Sequence, residues 1–284
     1  ETMSHFTALI ENEDIEIVTE ANHRCGLLGM DTISAGATLA CHAELEGKTL
    51  AGEEILSLLE DIGLGRGIGR ELGQGSYRYA AAKGCPEVSM SVKKQELAAY
   101  DPRGAYGMAL AYATSTRGGC HLRAYPISHE ILRKPVATDR FSFAGKARII
   151  KIAEDANAMV DSITACKFVF FAGSLEEYAK AYTAVTGVET TAQDLLRAGE
   201  RIYYHERIMN ALNGFTAADD DLPPRFFNEP GSSGNAIDIP PIDRAAFLQA
   251  RNDYCRVRGL DANGLPLPGK ALELGLDMKQ DSLM

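Results

Sequence analysis

The sequence predicts an all-α, multihelical protein. Three observations carry the prediction. Apolar residues recur at three- and four-residue spacing through most of the chain. Capping residues stand where those periodic stretches begin and end. No alternation of strand and helix patterns announces βαβ units.

Taken in order, Val18, Ala21, Cys25 and Leu28 form one face of a helix over Asp14–Leu28. Asp14 can cap its start, and Gly29 suits its end. Ser34 is the expected cap of a second helix running to about Glu46. Ile55, Leu58, Leu59 and Ile62 give Gly52–Ile62 the same spacing. Helix continues over Arg66–Ala82, with an irregular start because glycines crowd Gly63–Gly69. The stretch Lys83–Gly104 reads as loop, with a short extended piece at Val88–Val92. This change of texture puts a domain boundary near residue 97, giving helical domains 1–97 and 98–284. A short helix at Ala105–Ser115 leads into the turn Thr116–Cys120. The strongest helix is Ala144–Ile163, where Ile149, Ile152, Ala153, Ala156, Met159, Val160 and Ile163 make a broad apolar stripe. Ser174-Leu175-Glu176-Glu177 has the capping-box pattern and opens a helix to about Val185. Thr191-Ala192-Gln193-Asp194 opens another, to about Leu212, with Asp in the fourth place of the capping pattern. A Pro/Gly/Ser-rich connection spans Asp219–Pro241, and Phe247, Ala250, Tyr254 and Val257 mark a last core helix.

Composition narrows the function. The net charge is −10 over 284 residues, which disfavours nucleic acid and anionic membranes as partners, since both need clustered Lys and Arg. The longest apolar runs, such as Phe168–Ala172, are too short for a bilayer. Glu1-Thr2-Met3-Ser4 lacks the basic-then-apolar pattern of a signal peptide, so a cytoplasmic location is expected. The absence of a leading Met suggests a fragment or a processed chain. Cys25, Cys41, Cys85, Cys120, Cys166 and Cys255 are widely spaced with no C-x-x-C pair. That spacing suits reduced, mostly buried thiols better than a disulfide scaffold or a zinc site.

Three stretches are hard to explain by packing alone. Tyr100–Gly107 and Ala111–Arg123 surround one short apolar helix with glycines and polar side chains. The glycines allow a ligand to approach the backbone closely, and Arg103, Arg117 and Arg123 suit an anion. The other reading is a glycine-rich turn with solvated arginines. Asp161-Ser162-Ile163-Thr164-Ala165-Cys166-Lys167-Phe168 ends the strongest helix with an Asp and a Cys five apart; one cysteine can ligate an iron–sulfur cluster, but a cluster needs four ligands. Glu20 and His23 share a helix face at a spacing that can hold a metal, or they are a solvated pair.

These stretches resemble signatures of the aldehyde:ferredoxin oxidoreductase family. Tyr100–Arg123 resembles its Y-D-P-R-G…A-Y-A-T-S-x-R-G-G-C-H-L-R signature, and Asp161–Phe168 its D-S-x-x-x-C-K-F segment. Gly29–Gly36 is similar to G-L-D-T-I-S-x-G. Arg201–Phe215, Asp219–Phe227 and Arg256–Gly275 resemble later segments. The likeness runs through nearly the whole chain in order.

The resemblance implies an enzyme that oxidises aldehydes to carboxylic acids at a tungsten or molybdenum bis-pterin centre. Electrons would leave through a [4Fe–4S] cluster to ferredoxin. The chain would correspond to the family's two helical domains, without its β-rich first domain, and would be inactive alone. Cys166 matches the last cluster cysteine, the other three lying upstream of this chain. Asp161 and Asp31 match pterin-contacting aspartates, and Arg117 and Arg123 would face pterin phosphates. The family's D-x-x-G-L-D motif reads Gly26-Leu27-Leu28-Gly29-Met30-Asp31 here, so its first Asp is Gly26, and Thr164-Ala165 replace a common Gly-Leu. His121 matches a histidine near the metal, Tyr100 a cavity tyrosine, and Glu1 a glutamate beside the active site. Glu20 and His23 match a position that holds a mononuclear iron between the subunits of a homodimer in some members. Two alternatives stay open: a cofactor-free helical partner module, and a member acting on another substrate such as an aromatic acyl-CoA.

Overall fold

The structure is a computed structural model and describes residues 1–232 and 237–278. Residues 233–236 of the expected Asp219–Pro241 connection lie outside the described residues. In chain order the first helices are α1 (Thr2–Phe6), α2 (Ile15–Leu28), α3 (Thr32–Glu46), α4 (Gly52–Leu64), α5 (Gly69–Leu72) and α6 (Ser76–Ala82). A hairpin of β1 (Ser91–Val92) and β2 (Gln95–Glu96) follows. Next come α7 (Tyr106–Thr114), α8 (Ile127–Glu130), α9 (Lys146–Ser162), α10 (Leu175–Thr186) and α11 (Ala192–Leu212). The last are α12 (Arg225–Asn228), α13 (Arg244–Arg258) and α14 (Pro268–Glu273). Among the described residues the hairpin is the only sheet, so the fold is all-α. No helix among them is long and apolar enough to cross a membrane.

The chain divides into two compact units. The first comprises Glu1–Gly104, Arg117–His121 and Asp221–Ile242; the second comprises Ala105–Thr116, Leu122–Asp220 and Asp243–Met284.

In the first unit α2 begins and ends as its sequence predicts. The Asp14 carboxylate accepts from the Glu16 N–H at 2.9 Å, and Gly29 closes the helix at φ +69°. The next cap differs from expectation. Asp31, not Ser34, caps α3, its carboxylate accepting the Ser34 N–H at 2.8 Å. The helix therefore starts three residues early, and Ser34 supplies the donor rather than the acceptor. Around these caps Phe6, Ala21, Cys25, Leu39, Ile55, Leu59 and Ala80 build one buried core. Burial and the nearby Asp31 push the Cys25 thiol up to about 11, so it is an inert core group.

Two further expectations are corrected here. Arg66–Ala82 is not one helix: it breaks between α5 and α6 at Gly75, which takes φ +86°. The break is fixed from outside, because buried Glu96 accepts from the Ser76 N–H at 2.8 Å and from its hydroxyl at 3.0 Å. Within Val88–Val92 only residues 91–92 are strand, since Pro86–Val88 curls into a 3-10 turn. Helix α1, too short for a periodic signal, docks on α3 through Gly36, where an added Cβ would lie 2.7 Å from that of His5.

The second unit is organised by α9 and α11, with α10 and α13 alongside. The two central helices cross at Gly199, where a Cβ would stand 1.8 Å from the Asp155 carbonyl oxygen. Both sequence-predicted capping boxes form, Ser174 with Glu177 and Thr191 with Asp194. The expected apolar stripe of α9 is only partly its buried face. Ile152 is 54% exposed, while Glu154 and Asp155 are fully buried. The reason is an internal ion network. Glu154 accepts from the hydroxyls of Tyr203 (2.6 Å) and Tyr254 (2.7 Å) and from Arg258 (2.6 Å). Arg258 also pairs with Asp155. Buried charge persists here because nearly every oxygen meets a donor. A second such pair joins Lys146 to Glu130 at 2.7 Å, and Glu130 also takes the Gly107 and Met108 N–H groups at the start of α7.

Candidate functional site

In the first unit three sequence-predicted residues from distant segments meet. Glu1 precedes α1, Tyr100 follows the hairpin, and His121 ends the glycine turn. Nε2 of His121 stands 3.8 Å from Oε1 of Glu1. The rings of Tyr100 and His121 lie 5.8 Å apart between centroids, tilted by 37°. The other Glu1 oxygen accepts the Ala99 N–H at 3.0 Å, which ties the carboxylate to the segment carrying Tyr100. Neighbouring His5 is buried; its Nδ1 lies 2.9 Å from the Glu1 carbonyl oxygen and its Nε2 3.4 Å from that of Leu97. The imidazole of His121 is 13% exposed and the Glu1 carboxylate 24%, so both keep some contact with solvent. A carboxylate, an imidazole and a phenol so arranged can accept, hold and donate protons.

The glycines of this turn do a different job from the one expected. Gly118 takes φ +104°, and a Cβ there would lie 2.5 Å from the Val92 carbonyl oxygen. At Gly119 a Cβ would meet the Gln95 carbonyl oxygen at 2.4 Å. Its N–H donates to Val92 at 3.1 Å. These glycines let the turn lie flat on the β1–β2 hairpin, which sets the start of the His121 segment.

Arg103 is likewise committed within the protein. It pairs with Asp101 at 2.6 Å, donates to the carbonyls of Glu229 and Pro230, and covers the Phe226 ring. Arg117 is exposed. Asp31 is exposed as the α3 cap. Glu20 accepts from Arg24 at 2.7 Å, beside an exposed His23. Among the described residues no three His, Cys, Asp or Glu side chains stand together as a metal-binding group.

In the second unit Asp161 and Arg123 come together. Arg123 donates to Asp161 at 3.2 Å and pairs closely with Glu206, while its guanidinium lies over the Tyr203 ring. Lys167 holds the other side of Asp161 at 3.0 Å. Burial opposes the Arg123 charge, but Glu206 and Asp161 outweigh it and its pKa is raised. Its side chain is 2% exposed. Cys166 is exposed, and its carbonyl accepts the Tyr178 hydroxyl at 2.8 Å. The remaining cysteines are free thiols, all buried except partly covered Cys85. Sequence reasoning missed Glu206, which also accepts the Thr116 hydroxyl at 2.6 Å. Its one signal was a charge placed between Tyr203 and Arg207 on the α11 core face.

A multihelical fold carrying this Glu–Tyr–His group has a close structural counterpart. It superimposes with a TM-score of 0.73 on a chain of the active site complex BamBC of benzoyl coenzyme A reductase, solved with 1,5-dienoyl-CoA. That likeness covers 97% of this chain and 48% of the other at 17% identity, so it speaks to fold alone. The family model for aldehyde ferredoxin oxidoreductase, domains 2 and 3, matches residues 1–276, and the chain belongs to that family. It is 41% identical over 281 residues to a tungsten-containing aldehyde ferredoxin oxidoreductase of Pyrococcus furiosus, and 37% identical over 280 residues to one of Thermococcus kodakarensis. Each alignment covers 93% of this chain; the chain spans about half the length of these relatives, 46% in both.

Proposed function

We propose that this chain forms the two helical domains of an oxidoreductase that converts aldehydes to carboxylic acids, the units above being the family's second and third domains. The observation that carries the reading is the meeting of Glu1, Tyr100 and His121 from three separate segments. The overall change is loss of two electrons and two protons from a hydrated aldehyde. The names of the relatives support tungsten as the metal, and a bis-pterin tungsten centre, when bound, supplies the acceptor for the electron pair. His121 takes up a proton, with Glu1 close enough to stabilise the imidazolium. The Tyr100 hydroxyl donates to the aldehyde oxygen and polarises the carbonyl for addition of water, the step that gives the hydrate.

The donor set suits such a cofactor unevenly. Asp31 and Arg117 are exposed, whereas Asp161 is held between Arg123 and Lys167, so a pterin would meet it already ion-paired. Arg123 is already surrounded, and its work is to fix Asp161. Cys166 presents one accessible thiol, so a [4Fe–4S] cluster would draw its other thiolates from outside this chain. An iron shared between two copies through Glu20 and His23 would first have to displace Arg24 from Glu20. Electrons would pass to ferredoxin, in keeping with the relatives' names.

The test uses the full-length protein. His121→Ala is expected to lower kcat for acetaldehyde at least 100-fold while tungsten content stays constant, general acid–base groups being worth about 10²–10⁴ in rate. Unchanged turnover would remove His121 from the chemistry. A wild-type protein without tungsten, molybdenum or iron would favour a cofactor-free partner module instead.

A further inference from the structure

Beside Tyr100 the first unit holds a cavity of about 600 Å³ that the proton-handling group does not occupy. This is within the usual range for small-molecule sites. Tyr100 and Ala99 form part of its wall, and Ala99 is the residue whose N–H grips Glu1. The cavity therefore borders the candidate chemistry at Tyr100, while Glu1 and His121 stand outside its wall. Its sides are made of small residues: Ala8 after α1, Ala37 and Ala40 on α3, and Ala98 ahead of Tyr100. Ala37 and Ala40 are three apart and so share one helix face, and both are half-buried. Leu9, Leu97 and Phe226 add larger apolar surface.

The charges on the wall decide what could enter. Three cations line it (Lys48, Arg103 and Arg225) and three anions (Glu11, Glu44 and Asp101). Every cation has its own intramolecular partner. Arg103 pairs with Asp101 at 2.6 Å, Arg225 pairs closely with Glu44, and Lys48 reaches Glu54 at 2.6 Å. A charged tail on a substrate would have to break one of these pairs, whereas an uncharged apolar body only removes its surface from water.

We propose that this cavity receives the uncharged aryl or branched-alkyl body of the substrate, with Ala37 and Ala40 setting its depth. The proposal rests on the aldehyde-oxidation reading above. It excludes carboxylate-tailed and phosphate-bearing substrates from this pocket. Substituting a large side chain at Ala40 fills the cavity from the α3 side without touching Glu1, Tyr100 or His121.

The experiment compares full-length wild type with Ala40→Phe and the gentler Ala37→Leu, the latter guarding against a failure to fold. Saturation-transfer NMR first measures benzaldehyde binding, which needs no turnover. Steady-state kinetics then gives kcat/KM for benzaldehyde, acetaldehyde and the anionic succinic semialdehyde. Expected is a fall of at least 10-fold in benzaldehyde affinity and in the benzaldehyde-to-acetaldehyde ratio, with succinic semialdehyde the poorest wild-type substrate. Folded variants with affinity and ratio within twofold of wild type would overturn the pocket while leaving aldehyde oxidation intact. Benzaldehyde binding that the variants weaken, in a protein whose wild type oxidises none of the three, would do the reverse: the pocket would stand and the proposed reaction fall.

Discussion

Glu1 and His121 lie within 3.8 Å of each other although neither is near the other in sequence. The α1–α3 docking at Gly36 positions one, and the glycine turn on the hairpin positions the other. If the carboxylate steadies a protonated imidazole, Glu1→Gln in the full-length protein should cut kcat about 10-fold with KM for acetaldehyde nearly constant, and should change the acid side of the pH–rate profile. A profile and rate identical to wild type would show that the contact is only structural.

Cys166 offers a prediction that separates cofactor from fold. Its thiol is exposed and no core packing depends on it, so Cys166→Ser should leave the melting temperature of the apo full-length protein unchanged. Iron content and the cluster's EPR signal should fall sharply. An intact signal would rule out ligation at this position.

The buried Lys146–Glu130 pair gives a pH-dependent stability test. Burial pushes the Glu130 carboxyl above its ordinary range despite the Lys146 ammonium and two backbone donors. The folded form therefore binds this proton more tightly than the unfolded form, and stability falls as pH rises through the window above the ordinary carboxylate value. Lys146→Met removes the counter-charge, so the variant should lose about 3–5 kcal/mol at pH 7. The deficit should shrink at a lower pH, once Glu130 is protonated and needs no partner. Denaturant midpoints at the two pH values check this, and a deficit independent of pH would contradict it.

Much of the fold was legible because the signals were local. The α2 caps and the two capping boxes are contacts within four residues, which a sequence displays directly. The errors arose where a distant residue decides. Glu96 sets the break between α5 and α6 from twenty residues away. Arg258 and two tyrosines draw Glu154 and Asp155 into the core, rotating the buried face of α9 away from Ile152. The candidate site was legible for a different reason. Tyr100, His121 and Asp161 stood in long patterned stretches whose types recur together. Glu206 had no such pattern, and the glycines at 118 and 119 looked the same whether they cradle a ligand or a hairpin.

Gly199 has a wider consequence for the second unit. Asp161 leaves from the end of α9 and Glu206 from the middle of α11, and both grip Arg123. The spacing between those two carboxylates is thus gauged by a hydrogen atom where any other residue would carry carbon. A lone methyl group at that crossing, far along the helices from Cys166 and Asp161, would wedge the pair apart and spread its displacement to both ends of the clamp. The tolerance of the Arg123 clamp is set by the smallest side chain in the unit.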